Sequence, residues 1–306
     1  MNENGTSDGA GVEAQSSPDV KRSPGDYWGA VSGALSIAGR YRFLWFFGFF
    51  AASGGGGGAG TNWSEDAAPW AENYFMERPE VLILIVLALV VVGLAFFVMG
   101  IISRGALIGS VGRAVSGSRP SFSEAWSLGL RYALPLFGLV VLAILAALLV
   151  TAICAISVLL PIAAGAPGIA IAVVIGVVLF FPYLAFLIAL TLTVTYAERA
   201  IVLENAPFLD AISAGWSLVR SRVGESLVYW LIGLVAGLIF TVGIVFILVV
   251  VGAPIFILGT QDLVAALAVG IPVGFVIMAL ANGVFGTYVY SYWTLAYLNL
   301  RAEGPA

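Results

Sequence analysis

Uninterrupted apolar runs constrain this chain more than any other feature of its sequence. The clearest run, residues 81–102, contains no charged side chain, and about 20 such residues in a helix cross the ~30 Å hydrocarbon core of a bilayer. Hydrophobic residues make up 61% of the chain and charged residues 10%, whereas an ordinary soluble domain contains about 25% charged residues. The sequence therefore predicts an all-α integral membrane protein.

The apolar runs predict six transmembrane helices arranged as three hairpins. The spans are expected at residues 28–52, 80–102, 132–160, 169–196, 227–258 and 263–298. Arg40 and Arg42 interrupt the first of these spans, which is the least regular. Short connections rich in glycine, proline and polar residues suit tight turns between paired helices. We expect a six-helix membrane domain over residues 27–301, with a disordered polar tail at 1–26 and a short tail at 302–306.

The positions of the basic residues predict the orientation, because Lys and Arg beside spans are retained on the cytoplasmic side. With the N-terminal tail inside the cell, twelve of the 13 basic residues fall on the cytoplasmic side and only Arg78 falls outside. An odd number of spans would move some of these residues to the opposite side. We therefore expect a multi-pass protein of the cell membrane with both termini in the cytoplasm.

Two cytoplasmic segments have the periodicity of amphipathic helices. Ser121 and Glu124 match the capping box that opens many helices, so a helix should begin at Ser121 and continue to about residue 133. Residues 208–222 have a similar pattern. At 100° per residue, Trp126 and Trp216 fall on the apolar faces of these two segments. We expect both to be cytoplasmic helices that lie in the membrane interface.

A four-residue pattern of small, large apolar, serine and aliphatic residues begins at Ala34, Ala125 and Gly215, at spacings of 91 and 90 residues. Each copy precedes an arginine and then the first helix of a hairpin. This arrangement favours a threefold internal repeat of residues 27–104, 118–199 and 208–301, each an interfacial helix followed by a hairpin. Chance recurrence in a chain rich in Gly, Ala, Leu and Ser is the competing interpretation.

The residue types that are absent limit the chemistry. The chain has no histidine and one cysteine, Cys154. This composition excludes Cys–His and Ser–His–Asp catalysis, proton transfer by histidine and the common zinc sites. We therefore predict no catalytic, cofactor-binding or metal-binding residue and a protein that is not an enzyme. No basic patch predicts nucleic acid as a partner.

The candidate contacts for a membrane lipid or a protein partner lie at the cytoplasmic ends of the helices. They are Trp126, Arg131, Glu198, Arg199, Glu204, Trp216 and Arg220. For the three that follow the fourth span, solvated or snorkelling charge is the plainer interpretation. Within the spans, polar residues such as Thr191 and the small-residue pair Gly233 and Gly237 are typical of helix packing.

The stretch YAERAIVLENAPFLDAISAGWSLVRS, from Tyr196 to Ser221, contains a helix end, Glu-Asn-x-Pro and an amphipathic helix. Together with RYRFLWFFGFF near the start, it resembles a loose group of uncharacterised prokaryotic membrane proteins. This group is related to the membrane portion of glycerophosphoryl diester phosphodiesterases. The resemblance implies a six-helix membrane domain. It does not imply diester hydrolysis, because the catalytic domain of those enzymes uses histidines and this chain has none.

The sequence is consistent with two functions. The first is a non-catalytic membrane protein that binds lipid or a protein partner through its cytoplasmic interfacial helices, where the most patterned residues lie. The second is a transporter or channel for a small neutral solute or lipid. The repeat favours it, as do Pro182 and Pro272, because prolines within spans kink helices in transporters.

Overall fold

The structure, a computed structural model, describes residues 26–53, 78–163, 165–260 and 262–302. These residues form helices joined by short connections. The helices are α1 (Tyr27–Arg40), α2 (Leu44–Ser53), α3 (Pro79–Val115), α4 (Phe122–Ile162), α5 (Ala166–Glu204), α6 (Phe208–Ser221), α7 (Val223–Gly259) and α8 (Leu263–Ala302). The predicted tails, apart from Asp26 and Ala302, lie outside the described residues.

Five of these helices, α3, α4, α5, α7 and α8, are long and apolar enough to cross a membrane. Each contains 37 to 41 residues, and a 37-residue helix extends about 55 Å, well beyond the ~30 Å hydrocarbon core. Large apolar side chains such as Leu89, Leu148 and Phe246 remain more than half exposed along them. Because water would penalise so much exposed apolar surface, the five helices indicate a multi-pass membrane protein.

The first predicted span is not confirmed. Residues 28–52 form parts of two short helices, α1 with 14 residues and α2 with 10, separated by a turn at Tyr41, Arg42 and Phe43. A 10-residue helix is about 15 Å long, which is too short to cross a bilayer by itself. Residues 54–77, which follow α2, lie outside the described part of the chain. Six spans and three hairpins therefore stay predictions.

The predicted interfacial helix at residues 121–133 begins as expected but does not end as expected. The Ser121 Oγ accepts a hydrogen bond from the Glu124 N–H at 3.3 Å, and the Glu124 carboxylate accepts one from the Ser121 N–H at 3.2 Å. The capping box is confirmed. The separate helix is wrong, because α4 continues to Ile162. One buried face, which includes Gly129 and Leu136, runs across the expected boundary, so packing favours a continuous helix.

The second predicted interfacial segment forms a helix of its own. Helix α6 ends at Ser221, and α7 begins at Val223. Its buried residues are small or medium in size, namely Ala211, Gly215 and Val219. A Cβ on Gly215 would lie 2.6 Å from the Thr193 carbonyl oxygen of α5. Helix α6 therefore lies directly against the backbone of α5.

Small residues also bring α2 and α8 together. A Cβ on Gly48 would overlap the carbonyl oxygen of Gly283, and a Cβ on Gly286 would overlap the carbonyl oxygen of Gly48. The two backbones are in contact here, as small residues allow in membrane helices. At Gly233 and Gly237, by contrast, an added Cβ would meet only aromatic side chains at 3.5 to 3.7 Å. The close approach expected there is instead found between α2 and α8.

The three sections of the predicted repeat share one packing feature. Helix α1 packs against α8, the start of α4 against α3, and α6 against α5. The first residues of the three sequence patterns, Ala34, Ala125 and Gly215, are buried, whereas the serines two positions later are all exposed. The continuity of α4 nevertheless sets the second section apart from the other two. The threefold repeat stays a prediction.

Candidate functional site

A cavity of about 740 Å³ lies among α2, α3, α4, α5 and α8. This volume falls within the ~300–1,000 Å³ of typical ligand pockets. Most of its wall is apolar, with Val140 and Ala143 from α4, Leu187 from α5 and Val289 from α8. On α5 the lining residues continue to Arg199. The cavity is therefore apolar along its length and charged at one end.

The charged end consists of Arg104 from α3 and Glu198 and Arg199 from α5. The Glu198 Oε1 accepts a hydrogen bond from Arg104 Nη1 at 2.9 Å, and its Oε2 accepts one from Arg199 Nη1 at 3.1 Å. Arg199 also donates to the Thr195 carbonyl oxygen at 2.6 Å, and its guanidinium lies 5.5 Å from the ring centroid of Tyr290 in α8. We call Arg104, Glu198 and Arg199 the arginine cluster.

The arginine cluster is buried and carries one excess positive charge, because a single carboxylate faces two guanidinium groups. The side chains of Arg199, Glu198 and Arg104 are 2%, 5% and 14% exposed. Buried ions cost several kcal/mol each unless they are paired. The Nε atoms of both arginines are buried and have no hydrogen-bond partner among the described residues. The cluster thus retains positive charge and two free N–H donors.

The sequence places these charges at the ends of apolar runs. The charge-free run of α3 stops just before Arg104, and that of α5 stops just before Glu198. In helices that cross a membrane, the first charges after an apolar run are expected near the edge of the hydrocarbon layer. Beyond Arg104, residues 105–111 of α3 are again buried. Arg104 is therefore enclosed by buried residues before and after it in α3.

Two of the predicted contact residues, Glu198 and Arg199, belong to this site. Their interpretation as solvated or snorkelling charge is wrong, because both are almost fully buried. Sequence reasoning missed Arg104, which completes the cluster. The sequence does contain a signal for buried charge. Both Arg104 and the Glu198–Arg199 pair have apolar or small residues before and after them in the same helix. A charge at a solvated helix end would be followed by polar residues.

The other predicted contact residues lie outside the cavity lining. Glu204 forms an ion pair with Arg301, and both side chains are more than one third exposed. Arg131 and Arg220 are exposed. The Trp126 ring lies 6.4 Å from that of Phe47 in α2, so Trp126 is partly buried against the core, whereas Trp216 is 50% exposed. The structure does not bring these residues together with the arginine cluster.

The Glu-Asn-x-Pro motif has a structural role in ending α5. Asn205 is the C-cap and adopts a left-handed conformation with φ 52°, which asparagine tolerates better than most residues. The Ala206 N–H donates to the Ala200 carbonyl oxygen at 3.2 Å. Pro207 then precedes the first turn of α6, and the Tyr132 hydroxyl donates to the Asn205 side chain. The motif joins two helices and holds them against α4.

A protein-family model described as "Family of unknown function (DUF7544)" matches residues 36–302. The match includes the arginine cluster and all the cavity walls. It provides no link to the membrane portion of glycerophosphoryl diester phosphodiesterases, so that resemblance is not confirmed. No curated protein and no solved structure matches the chain.

Proposed function

The chain belongs to the DUF7544 family, whose function is unknown, and we propose that it binds a membrane lipid in the cavity among α2, α3, α4, α5 and α8. The observation that carries this proposal is the combination of apolar walls with a buried, charged end. A lipid has the same two parts in the same order. The proposal keeps the predicted lipid partner but moves its site from the interfacial helices to the cavity.

The apolar walls can contact an acyl chain but do not distinguish one lipid from another. Ile144, Leu190 and Phe285 present hydrocarbon surface to the cavity. Bilayer tails are already in an apolar medium, so moving one into the cavity gains little hydrophobic free energy. Affinity must then come from close packing and from the headgroup. The arginine cluster is the part of the cavity that supplies headgroup interactions.

Binding fits the cavity better than catalysis. Glu198 is the only carboxylate among the described residues that line the cavity, and each of its oxygens accepts a hydrogen bond from an arginine. A general base must direct an oxygen at the proton that it removes, whereas both oxygens of Glu198 are held by arginine N–H groups. We therefore propose a lipid-binding protein of the cell membrane with the arginine cluster in the cytoplasmic leaflet, in agreement with the predicted orientation.

Native mass spectrometry of the protein released from phospholipid nanodiscs tests this proposal. The double variant Ala143→Phe/Ala147→Phe places two rings in the cavity, and Leu145→Phe/Leu148→Phe adds similar rings on an exposed part of the same helix. The wild type and the exposed-face variant should retain one lipid, and the cavity variant should retain none. Equal retention by all three proteins would show that the cavity does not hold a lipid.

Lipid transport through the same cavity is a second candidate. Helices α5 and α8 both line the cavity, and they contain Pro182 and Pro272 in their interiors. Proline removes a backbone hydrogen bond and lets a helix bend, as in the broken helices of transporters. A labelled lipid in proteoliposomes should change leaflets faster with the wild type than with Ala143→Phe/Ala147→Phe. Equal rates would favour binding without transport.

A further inference from the structure

We infer that the cavity selects an anionic lipid whose phosphate or carboxylate headgroup binds beside Arg104 and Arg199. This inference rests on the proposed function and names the charge of the ligand. It depends on two features of the arginine cluster, namely its excess charge and its free donors.

The excess positive charge has no counter-ion among the described residues that line the cavity. The cavity residues of α2 and α4 are apolar, including Ala51, Ala52 and Val140. Helix α8 contributes Tyr290, whose ring attracts the Arg199 guanidinium but supplies no full negative charge. Glu198 is the one acid, and it is shared by both arginines. An anion entering from the bilayer would therefore neutralise the charged end of the cavity.

The free donors are of the type that oxyanions bind. Arginine presents its N–H groups in a planar fork that matches two oxygens of a phosphate or a carboxylate. The Nε atoms of Arg104 and Arg199 are buried without a hydrogen-bond partner, and a buried donor left unpaired is unfavourable. An anionic headgroup that reached these donors would accept hydrogen bonds from them and supply the missing charge at the same time.

The cluster also distinguishes anionic from zwitterionic headgroups. A zwitterionic lipid carries a cation beside its phosphate, and that cation would enter a region that already has one excess positive charge. Glu198 is the only acid of the described lining that could pair with this cation, and its two oxygens are already engaged by Arg104 and Arg199. A phosphate without an attached cation, or a fatty-acid carboxylate, avoids this repulsion.

The test uses nanodiscs of phosphatidylcholine that contain a minor fraction of phosphatidylglycerol or oleate. Native mass spectrometry measures which lipid stays bound to the wild type, to Arg104→Gln and to the control Arg113→Gln. Arg113 lies on the same helix and pairs with Glu124 outside the cavity, with 43% of its side chain exposed. The wild type and Arg113→Gln should prefer the anionic lipid by about tenfold or more, the effect of one charged hydrogen bond. Arg104→Gln should lose most of this preference.

A second variant keeps the test valid if Arg104→Gln does not fold. Glu198→Gln raises the excess charge of the cluster from one to two, so anionic lipid should raise its melting temperature more than that of the wild type. Inorganic phosphate is added in place of the lipid in a parallel sample. Equal stabilisation by phosphate would mean that the site takes a free anion, and the lipid assignment would be overturned.

The outcomes separate this inference from the proposed function. If the wild type retains phosphatidylcholine and anionic lipid equally, and Ala143→Phe/Ala147→Phe loses both, the cavity binds lipid but the inferred selectivity is wrong. If Arg104→Gln and Arg113→Gln show the same preference for anionic lipid, the arginine cluster does not determine which headgroup binds. If no lipid is retained by any protein, the proposed function itself fails.

Discussion

The arginine cluster predicts that Glu198→Gln destabilises the protein far more than a matched change at an exposed ion pair. Glutamine keeps the shape of the side chain and removes its charge. Arg104 and Arg199 would then be two buried cations without a carboxylate. Glu204 is the matched control, because it lies on the same helix and pairs with Arg301 where both side chains are more than one third exposed.

The expected changes in the free energy of unfolding follow from how deeply each ion pair is buried. Removing one partner of a buried ion pair costs about 3–5 kcal/mol, because the remaining charge stays desolvated. Glutamine can still accept one hydrogen bond, so we expect Glu198→Gln to lower the free energy of unfolding by about 3 kcal/mol, near the lower limit of that range. An exposed pair contributes about 0–1 kcal/mol. The amide oxygen of glutamine can still accept the hydrogen bond from the Tyr297 hydroxyl, so Glu204→Gln should lower the free energy of unfolding by about 1 kcal/mol or less.

The assay is reversible unfolding by a denaturing detergent in micelles of zwitterionic lipid and detergent, which contain no anionic lipid that could replace the lost carboxylate. Helix content measured by circular dichroism reports the folded fraction. If Glu198→Gln and Glu204→Gln differ by less than about 0.5 kcal/mol, which is the size of a typical surface effect, the cluster is not a desolvated ionic site. The cluster would then not hold an excess buried charge.

Two further predictions concern packing. Gly48→Ala should destabilise the protein by about 1–3 kcal/mol, the usual effect of overpacking, because its Cβ would overlap the backbone of α8. In the same unfolding assay Gly93→Ala, with open space around it, should be neutral or stabilising; a neutral Gly48→Ala would contradict the close crossing. In nanodiscs, Trp126→Ala should accelerate hydrogen exchange of residues 121–131 more than Trp216→Ala accelerates that of residues 208–220, because Trp126 packs on Phe47 whereas Trp216 is half exposed. Equal acceleration would mean that burial does not distinguish the two tryptophans.

Features set by neighbouring residues could be predicted from the sequence. The five long apolar helices follow from run length and hydropathy alone. The capping box at Ser121 and the separate helix α6 follow from spacings of three and four residues. Such patterns act within one or two helical turns, so they are visible in the sequence before the helices pack together.

Features set by packing between distant helices could not be predicted. Arg104 and Glu198 are 94 positions apart, and nothing in either segment indicates which helix it will contact. The approach of Gly48 to Gly283 has the same origin, because many glycine pairs in such a chain could serve. Helix α4 continues past Ala133 because its buried face extends onto its neighbours, an effect that the local pattern of residues 121–133 does not contain.

Quenching of Trp293 by lipids with brominated acyl chains tests most directly whether a lipid occupies the cavity. Trp293 lines the cavity in α8, and its emission is obtained as the difference between the wild type and Trp293→Phe. The same pair is then compared in the background of Ala143→Phe/Ala147→Phe, which fills the cavity. A lipid in the cavity predicts strong quenching of Trp293 in the first background and weak quenching in the second; equal quenching in both would contradict it.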